Sequence, residues 1–249
     1  MTDNLWESRS VNNRVFLKGG ELHIWRTKIS DNVLNINEYL DLLTIEEQAK
    51  AQSFFFRKDQ NRYVITRAIL KKLLAMYLNV ISPRCICFKQ TNYGKPYLVD
   101  SINNENIKFN ISHSNDCVVF AFTKNIDVGV DIEYIDKNLV IEEIIEYCCT
   151  ELEKNQLNEL PYNHRYYYFY KLWVLKEAIV KALGLGLSFD LKQIRTDFYE
   201  NKLISFVDII DNNKLCWTAN TFYAYNSYYS AFAVKSSTIK VIFFTYLIS

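Results

Sequence analysis

The chain has 249 residues, 49% of them hydrophobic and 23% charged, with a formal net charge of +1. These proportions are ordinary for one large or two small soluble domains, and the balanced charge gives no global sign of nucleic-acid binding. Only 6 Gly and 3 Pro argue against long linkers, and six cysteines without a CxxC pair argue against a structural zinc site.

The opening stretch Met1–Ser10 is polar and has no apolar core, so no signal peptide is expected. The cysteines at 85, 87, 117, 148, 149 and 216 then read as reduced, mostly packing residues of a cytoplasmic protein. Glu21–Arg26 alternates and predicts a strand. Thr44 followed by Glu47 predicts a capping box that opens a helix. A longer helix is predicted over 59–78, where Tyr63, Ile69, Leu70, Leu73, Leu74 and Tyr77 keep the 3.6-residue period. A turn is expected at Asn92–Pro96, and strands at 109–112, 118–122 and 128–134. Helices are predicted over 141–160 and 166–183, the second stopped by Gly184 and Gly186. Residues 218–225 and 229–234 read as antiparallel strands. Val241–Phe244 reads as a closing strand and is far short of the ~20 residues that span a bilayer.

Charge divides unevenly along the chain. Residues 1–126 carry 17 Lys and Arg against 12 Asp and Glu, a net +5, and residues 127–249 carry 12 against 16, a net −4. Solvated helix faces explain such a split, and so does a basic half that holds an anion beside an acidic half that holds a cation.

Two segments carry chemistry. In Gly129-Val130-Asp131-Ile132-Glu133, strand alternation turns Val128, Val130 and Ile132 to one face and Asp131 and Glu133 to the other. Two carboxylates on one face suit Mg²⁺, which takes one or two carboxylates, substrate phosphates and water. In Trp173–Lys181, Leu172, Leu175 and Ile179 form an apolar stripe, while Trp173, Glu177 and Lys181 follow at i, i+4 and i+8 on another face. Lys176 lies beside the stripe and can reach out along its stem. Either segment alone would read as a solvated strand or a surface Glu–Lys pair. A third segment changes that: Gly94-Lys95-Pro96, then Phe109-Asn110-Ile111-Ser112-His113-Ser114, offers cationic and hydroxyl donors to a phosphate. A serine-hydrolase reading fails, because no G-x-S-x-G elbow is present and adjacent Ser112 and His113 cannot form a nucleophile–base pair.

Taken in order, these segments resemble the Sfp-type 4′-phosphopantetheinyl transferases, whose signature runs G-K-P, F-N-x-S-H-S, G-[IV]-D-[IV]-E, W-x-x-K-E-[AS]-x-x-K and G-x-G-L. Here it stands as Gly94–Pro96, Phe109–Ser114, Gly129–Glu133, Trp173–Lys181 and Gly184–Leu187. The basic stretch Phe56–Arg62 resembles the family's N-terminal helical motif. The resemblance implies an α+β fold of two similar subdomains in pseudo-twofold duplication, residues 1–126 and 127–249, in a chain that acts as a monomer. It implies transfer of 4′-phosphopantetheine from coenzyme A to a serine of an apo acyl, peptidyl or aryl carrier protein, with no role for nucleic acid or membrane. Asp131, Glu133 and Glu177 would hold Mg²⁺ (or Mn²⁺). Lys181 and Lys176 would contact the pyrophosphate, and Lys95, Pro96, Ser112 and His113 the nucleotide end. Lys50 and Lys58 would add further phosphate contacts. Glu177, or a metal-bound water beside it, would take the serine proton. The carrier would dock on Lys137–Cys149, with Leu139, Val140, Ile141, Ile144 and Ile145, residues that equally suit an ordinary core. Asn115-Asp116 departs from the pattern by placing an acid near the nucleotide end. A non-catalytic module that grips coenzyme A or a carrier is the alternative, and another metal-dependent phosphotransferase ranks below it, because no P-loop or kinase signature is present.

Overall fold

The computed structural model describes residues 5–12, 14–186, 189–194 and 217–248. Leu187 and Cys216, both noted in the sequence, lie outside the described residues. The fold is mixed α+β. The strands among the described residues are β1 (Trp6–Ser10), β2 (Glu21–Lys28), β3 (Phe88–Gln90), β4 (Pro96–Leu98), β5 (Ile107–Ser114), β6 (Cys117–Lys124), β7 (Val128–Tyr134), β8 (Thr218–Tyr225), β9 (Tyr228–Val234) and β10 (Lys240–Leu247). The helices are α1 (Ile29–Asn32), α2 (Ile36–Asp41), α3 (Ile45–Gln52), α4 (Arg57–Leu78), α5 (Glu142–Cys148), α6 (Glu151–Glu159) and α7 (Tyr162–Leu183).

Strands assemble into a five-stranded sheet in the order β1-β10-β2-β6-β5, a three-stranded sheet β7-β9-β8, and a small β3-β4 pair. The last strand departs from the expected division at 126/127. β10 does close a sheet, but it lies parallel between β1 and β2, inside the sheet built by the first half of the chain. Two central strands are buried on both faces because both are covered: β6 reads as a near-continuous hydrophobic run, whereas β2 interleaves apolar residues with buried His23, Arg26 and Thr27. In β2, Leu22 and Ile24 face the second sheet while Trp25 faces α4; in β6, Val119 and Ala121 face the sheet while Val118, Phe120 and Phe122 face the helix. Val128, Val130 and Ile132 of β7 complete the core between the sheets, as the alternation of that strand predicts. A third core packs α5, α6 and α7 on β8 and β9. The molecule is thus four layers: α4, large sheet, small sheet, α7. Arg26 staples the sheets, its guanidinium lying between the Trp6 and Tyr225 rings and donating to the Ala224 carbonyl.

Helix starts follow the sequence closely. Thr44 and Glu47 form both arms of the expected capping box on α3. Thr150 and Glu153 form a second one on α6. The predicted helix over 141–160 is two helices, because this second box restarts the chain at Thr150. Both long helices end in a left-handed cap, at Asn79 (φ 55°) and Gly184 (φ 73°). Among the described residues five cysteines are free: Cys117, Cys148 and Cys149 pack in the cores, whereas Cys85 and Cys87 are exposed. Among the described residues, no helix is long and apolar enough to cross a membrane.

Candidate active site

The site forms where β5, β7 and α7 converge. Gly129 makes that convergence possible. A Cβ at this position would stand 2.0 Å from the Ala178 carbonyl oxygen and 2.4 Å from the Ala182 nitrogen, so only glycine lets β7 lie directly against α7. Two residues on, Asp131 is then within reach of the helix face that carries Glu177 and Lys181.

β5 is stitched to β7 by side chains rather than by a ladder. Asn110 Oδ1 accepts from the Val130 amide at 2.9 Å, Ser112 Oγ donates to Asp131 Oδ1 at 2.8 Å, and Ser114 Oγ donates to Glu133 Oε2 at 2.9 Å. These three residues alternate along β5 and so share one face. The Phe-Asn-x-Ser-His-Ser segment therefore has a structural role besides any contact with a phosphate: it fixes the two β7 carboxylates.

On α7, Trp173, Glu177 and Lys181 interrupt an otherwise largely buried stretch, and each stays partly accessible. They line one cleft of about 370 Å³ with Ile111, Ser112, His113, Asp131 and Glu133. Lys181 Nζ lies 2.5 Å from Asp131 Oδ1 and 2.9 Å from Ser112 Oγ. The second Asp131 oxygen, Oδ2, is buried with no hydrogen-bond partner. Burial, with the Asp131 carboxylate beside it, pushes Glu133 up to about 7. Burial and the same neighbour also raise Glu177. His113 is held below the usual histidine value, first by lost hydration and then by the Arg62 and Lys181 cations, which leaves it neutral near pH 7.

Among the described residues, no three His, Cys, Asp or Glu side chains already stand as a cluster that could hold a metal ion. The donors still suit a hard cation. One carboxylate oxygen is buried without a partner, and two carboxyls keep a raised proton affinity even with the Lys181 cation beside them; oxygen donors of this kind are what Mg²⁺ takes.

Six of the expected residues thus come together: Ser112, His113, Asp131, Glu133, Glu177 and Lys181. The others stand elsewhere. Lys176 is fully buried, and its ammonium is held by Glu153 Oε2 (2.7 Å), the Cys148 carbonyl (2.7 Å) and the Leu191 carbonyl (3.1 Å). It points into the core rather than the cleft, so the expected phosphate contact is corrected to a structural one. The reach that its long stem allows is used inward. Lys95 donates to the carbonyls of Val128 and Ala182, tying the start of β7 to the end of α7, and burial lowers it to about 8. With Pro96 it lines a different cavity, beside Lys108 and Asp127. Lys58 lines a cavity with Asn61 and Arg62, and exposed Lys50 hangs over the Tyr63 ring at 5.5 Å. Asp116, the acid that departs from the pattern, is engaged: its carboxylate accepts from the Ser30 amide and hydroxyl at the start of α1. Ile141, expected on a docking surface, is 2% exposed and belongs to the α7 core, while Val140 beside it is 66% exposed.

Sequence reasoning passed over Arg62, which borders His113, and Arg67, whose Nη1 is buried without a partner in the same cavity. Arg62 sits in the basic stretch already noted. Arg67 gave no signal, since a mid-helix arginine reads as surface.

Comparison with known proteins agrees with the family resemblance. Residues 127–242 match the family described as the 4′-phosphopantetheinyl transferase superfamily, and residues 29–125 match the 4′-phosphopantetheinyl transferase N-terminal family. The 4′-phosphopantetheinyl transferase HetI of Nostoc sp. is 28% identical over 188 residues, which are 76% of this chain and 78% of that protein. The L-aminoadipate-semialdehyde dehydrogenase-phosphopantetheinyl transferase of Xenopus laevis is 33% identical over 60% of this chain and 52% of its own length. The 4′-phosphopantetheinyl transferase gsp of Aneurinibacillus migulanus is 31% identical over 60% of this chain and 59% of its own length. The match therefore spans only about half the length of some of these relatives.

Proposed function

The chain belongs to the 4′-phosphopantetheinyl transferase superfamily, and from that premise we propose that it moves the 4′-phosphopantetheine of coenzyme A onto a serine of an apo carrier protein. The serine oxygen forms a new bond to the pantetheine-side phosphorus of the pyrophosphate. The bond from that phosphorus to the bridging oxygen breaks, and adenosine 3′,5′-bisphosphate leaves. The serine proton passes to a base.

The observation that carries this reading is the cleft in which Asp131, Glu133, Glu177, Lys181, Ser112 and His113 face one another. Phosphoryl-type transfer depends mainly on positioning and on neutralising charge. Lys181 supplies a fixed cation, already oriented by Asp131 and Ser112. His113 and Arg62 offer donors toward the nucleotide end. Glu177, with its raised proton affinity and partial access, is the side chain suited to take the serine proton. Asp131, Glu133 and Glu177 would hold Mg²⁺, which when bound neutralises the pyrophosphate and the departing phosphate.

We also infer that the molecule is a pseudo-twofold duplication divided near residue 126, acting as a cytoplasmic monomer. Support for the duplication comes from topology. In each half a strand (β2 or β7) is followed by helices and then a hairpin (β5-β6 or β8-β9) whose second strand pairs with that first one. The crossing of β10 into the first sheet is the exception. For the carrier surface, the exposed part of 137–149, with Val140 and Tyr147, remains the proposal.

The test is incubation with coenzyme A, Mg²⁺ and apo acyl and peptidyl carrier proteins, followed by mass spectrometry. A gain of one phosphopantetheine on carrier serine is expected. A folded protein that modifies none of several carriers sinks the proposal. Within an active protein, a carrier KM unmoved by Val140→Asp would remove the docking assignment.

A further inference from the structure

The structure repeats one device in two places. In α7, Lys176 is the fifteenth residue of 22, and its Nζ meets the capping-box glutamate of α6, Glu153, at 2.7 Å and the carbonyl of Cys148 at 2.7 Å. In α4, Lys71 is also the fifteenth residue of 22, and its Nζ meets the capping-box glutamate of α3, Glu47, at 2.7 Å and the carbonyl of Leu42 at 3.2 Å. Leu42 and Cys148 each lie two residues before the N-cap threonine, Thr44 or Thr150. Both lysines have no exposed surface. The matching reaches the level of single acceptor atoms, although the two halves share no readable sequence repeat.

Only one copy stands next to the reacting cleft. The residue after Lys176 is Glu177, and one turn further is Lys181, both in the cleft. The residue after Lys71 is Lys72, in a separate cavity with Arg14 and Met76. Lys176 also has a third acceptor, the Leu191 carbonyl, so it joins the end of α5, the start of α6 and the turn after α7. A buried ammonium with three fixed acceptors allows little rotation or sliding of its helix, because any movement leaves a charge unpaired in a dry site.

We propose that the Glu153–Lys176 pair is a positioning device for the transfer reaction: it fixes the rotation and axial register of α7, and so the placement of Glu177 and Lys181 opposite Asp131. The Glu47–Lys71 pair holds α4 in the same way; Glu47 also meets Arg67 at 3.5 Å and α4 carries Arg62 beside His113, so a disturbance there acts on coenzyme A binding and not on the reacting carboxylates. This rests on the activity proposed above and adds residues that contact neither substrate nor metal.

The duplicate supplies its own control. Two double variants, Glu153→Gln with Lys176→Met and Glu47→Gln with Lys71→Met, each remove both charges and so bury no unpaired ion. In the carrier assay the 153/176 variant is expected to lose at least tenfold in kcat, with the KM for coenzyme A changed less than threefold. The 47/71 variant is expected to stay within twofold of the parent in kcat. Equal kcat losses in the two, or none in the 153/176 variant, overturn the proposal. A second readout needs no turnover. Amide hydrogen exchange over residues 173–181 should quicken in the 153/176 variant and not in the 47/71 variant. Parent-like protection in the 153/176 variant overturns the proposal whether or not the parent modifies a carrier, so failure here is distinct from failure of the proposed activity.

Discussion

Helices α4 and α7 are built alike and used differently. Both run 22 residues, both carry a buried lysine at the fifteenth position, and both end in a left-handed cap. The difference lies along one line of each helix, its twelfth, sixteenth and twentieth positions. In α7 that line is Trp173, Glu177 and Lys181; the same positions of α4 hold Ala68, Lys72 and Met76. It lies also in how each helix meets its sheet. At the twenty-first position α4 has Tyr77, whose hydroxyl accepts from Trp25 Nε1 (2.7 Å) and sits 2.9 Å from His23 Nδ1. α7 has Ala182 there, pressed onto Gly129. One helix stands off its strand on a hydrogen-bonded aromatic spacer, and the other is in backbone contact. The lesson is that the scaffold is shared while the chemistry needs closeness: only the contact helix brings an acid and a lysine within reach of strand carboxylates.

The largest expected effect tests whether the chemistry belongs to one helix alone. Glu177→Gln should cut kcat/KM by about 10²–10³-fold, the scale of losing one preorganised electrostatic group. Lys72→Gln, at the matching position of α4, should leave it within twofold. The comparison breaks if Lys72→Gln is as damaging, or if Glu177→Gln transfers phosphopantetheine at the parent rate in the mass-spectrometric assay.

Closeness itself is tested next. Gly129→Ala puts a methyl carbon against backbone atoms that have nowhere to go, so α7 must move off β7. Overpacking of this kind costs about 1–3 kcal/mol, visible as a lower urea midpoint. The lost contact should also lower kcat by more than the unfolded fraction explains. A variant with parental midpoint and parental kcat would show that backbone contact is not what the site requires.

Much of this was legible beforehand, for reasons that differ residue by residue. Strand alternation placed Asp131 and Glu133 together, because a period of two leaves no other choice once Val128, Val130 and Ile132 are buried. Helical spacing likewise joined Trp173, Glu177 and Lys181. What alternation and spacing do not carry is depth. Lys176 lies one residue from Glu177 and reads as a cation with a long stem, and nothing local says that the stem turns inward to a glutamate 23 residues earlier. Lys95 is similar, since its acceptors are carbonyls of residues far along the chain. The placement of β10 was also hidden. A strand's own sequence shows that its faces are covered, not which sheet covers them.

The spacer side of the comparison has its own expected signature, which is pH dependence of stability. His23 is 1% exposed, and burial pulls its imidazole down to about 4 from an ordinary value of 6.5. The folded protein therefore refuses a proton that the unfolded chain accepts between those two values. Where the unfolded state binds more protons, stability rises with pH, so this group costs stability as pH falls from 6.5 toward 4. The slope is at most about 1.4 kcal/mol per pH unit for one proton, less where the site relaxes. Above 6.5 both states are neutral and the group contributes no slope. Urea midpoints at pH 7, 6, 5 and 4.5 should fall more steeply in the parent than in His23→Gln, which keeps a polar partner for Tyr77 but cannot titrate. Parallel profiles for the two proteins would mean that His23 charges freely in the fold. The aromatic spacer would then be open to water, unlike the dry Gly129 contact that faces it across the two sheets.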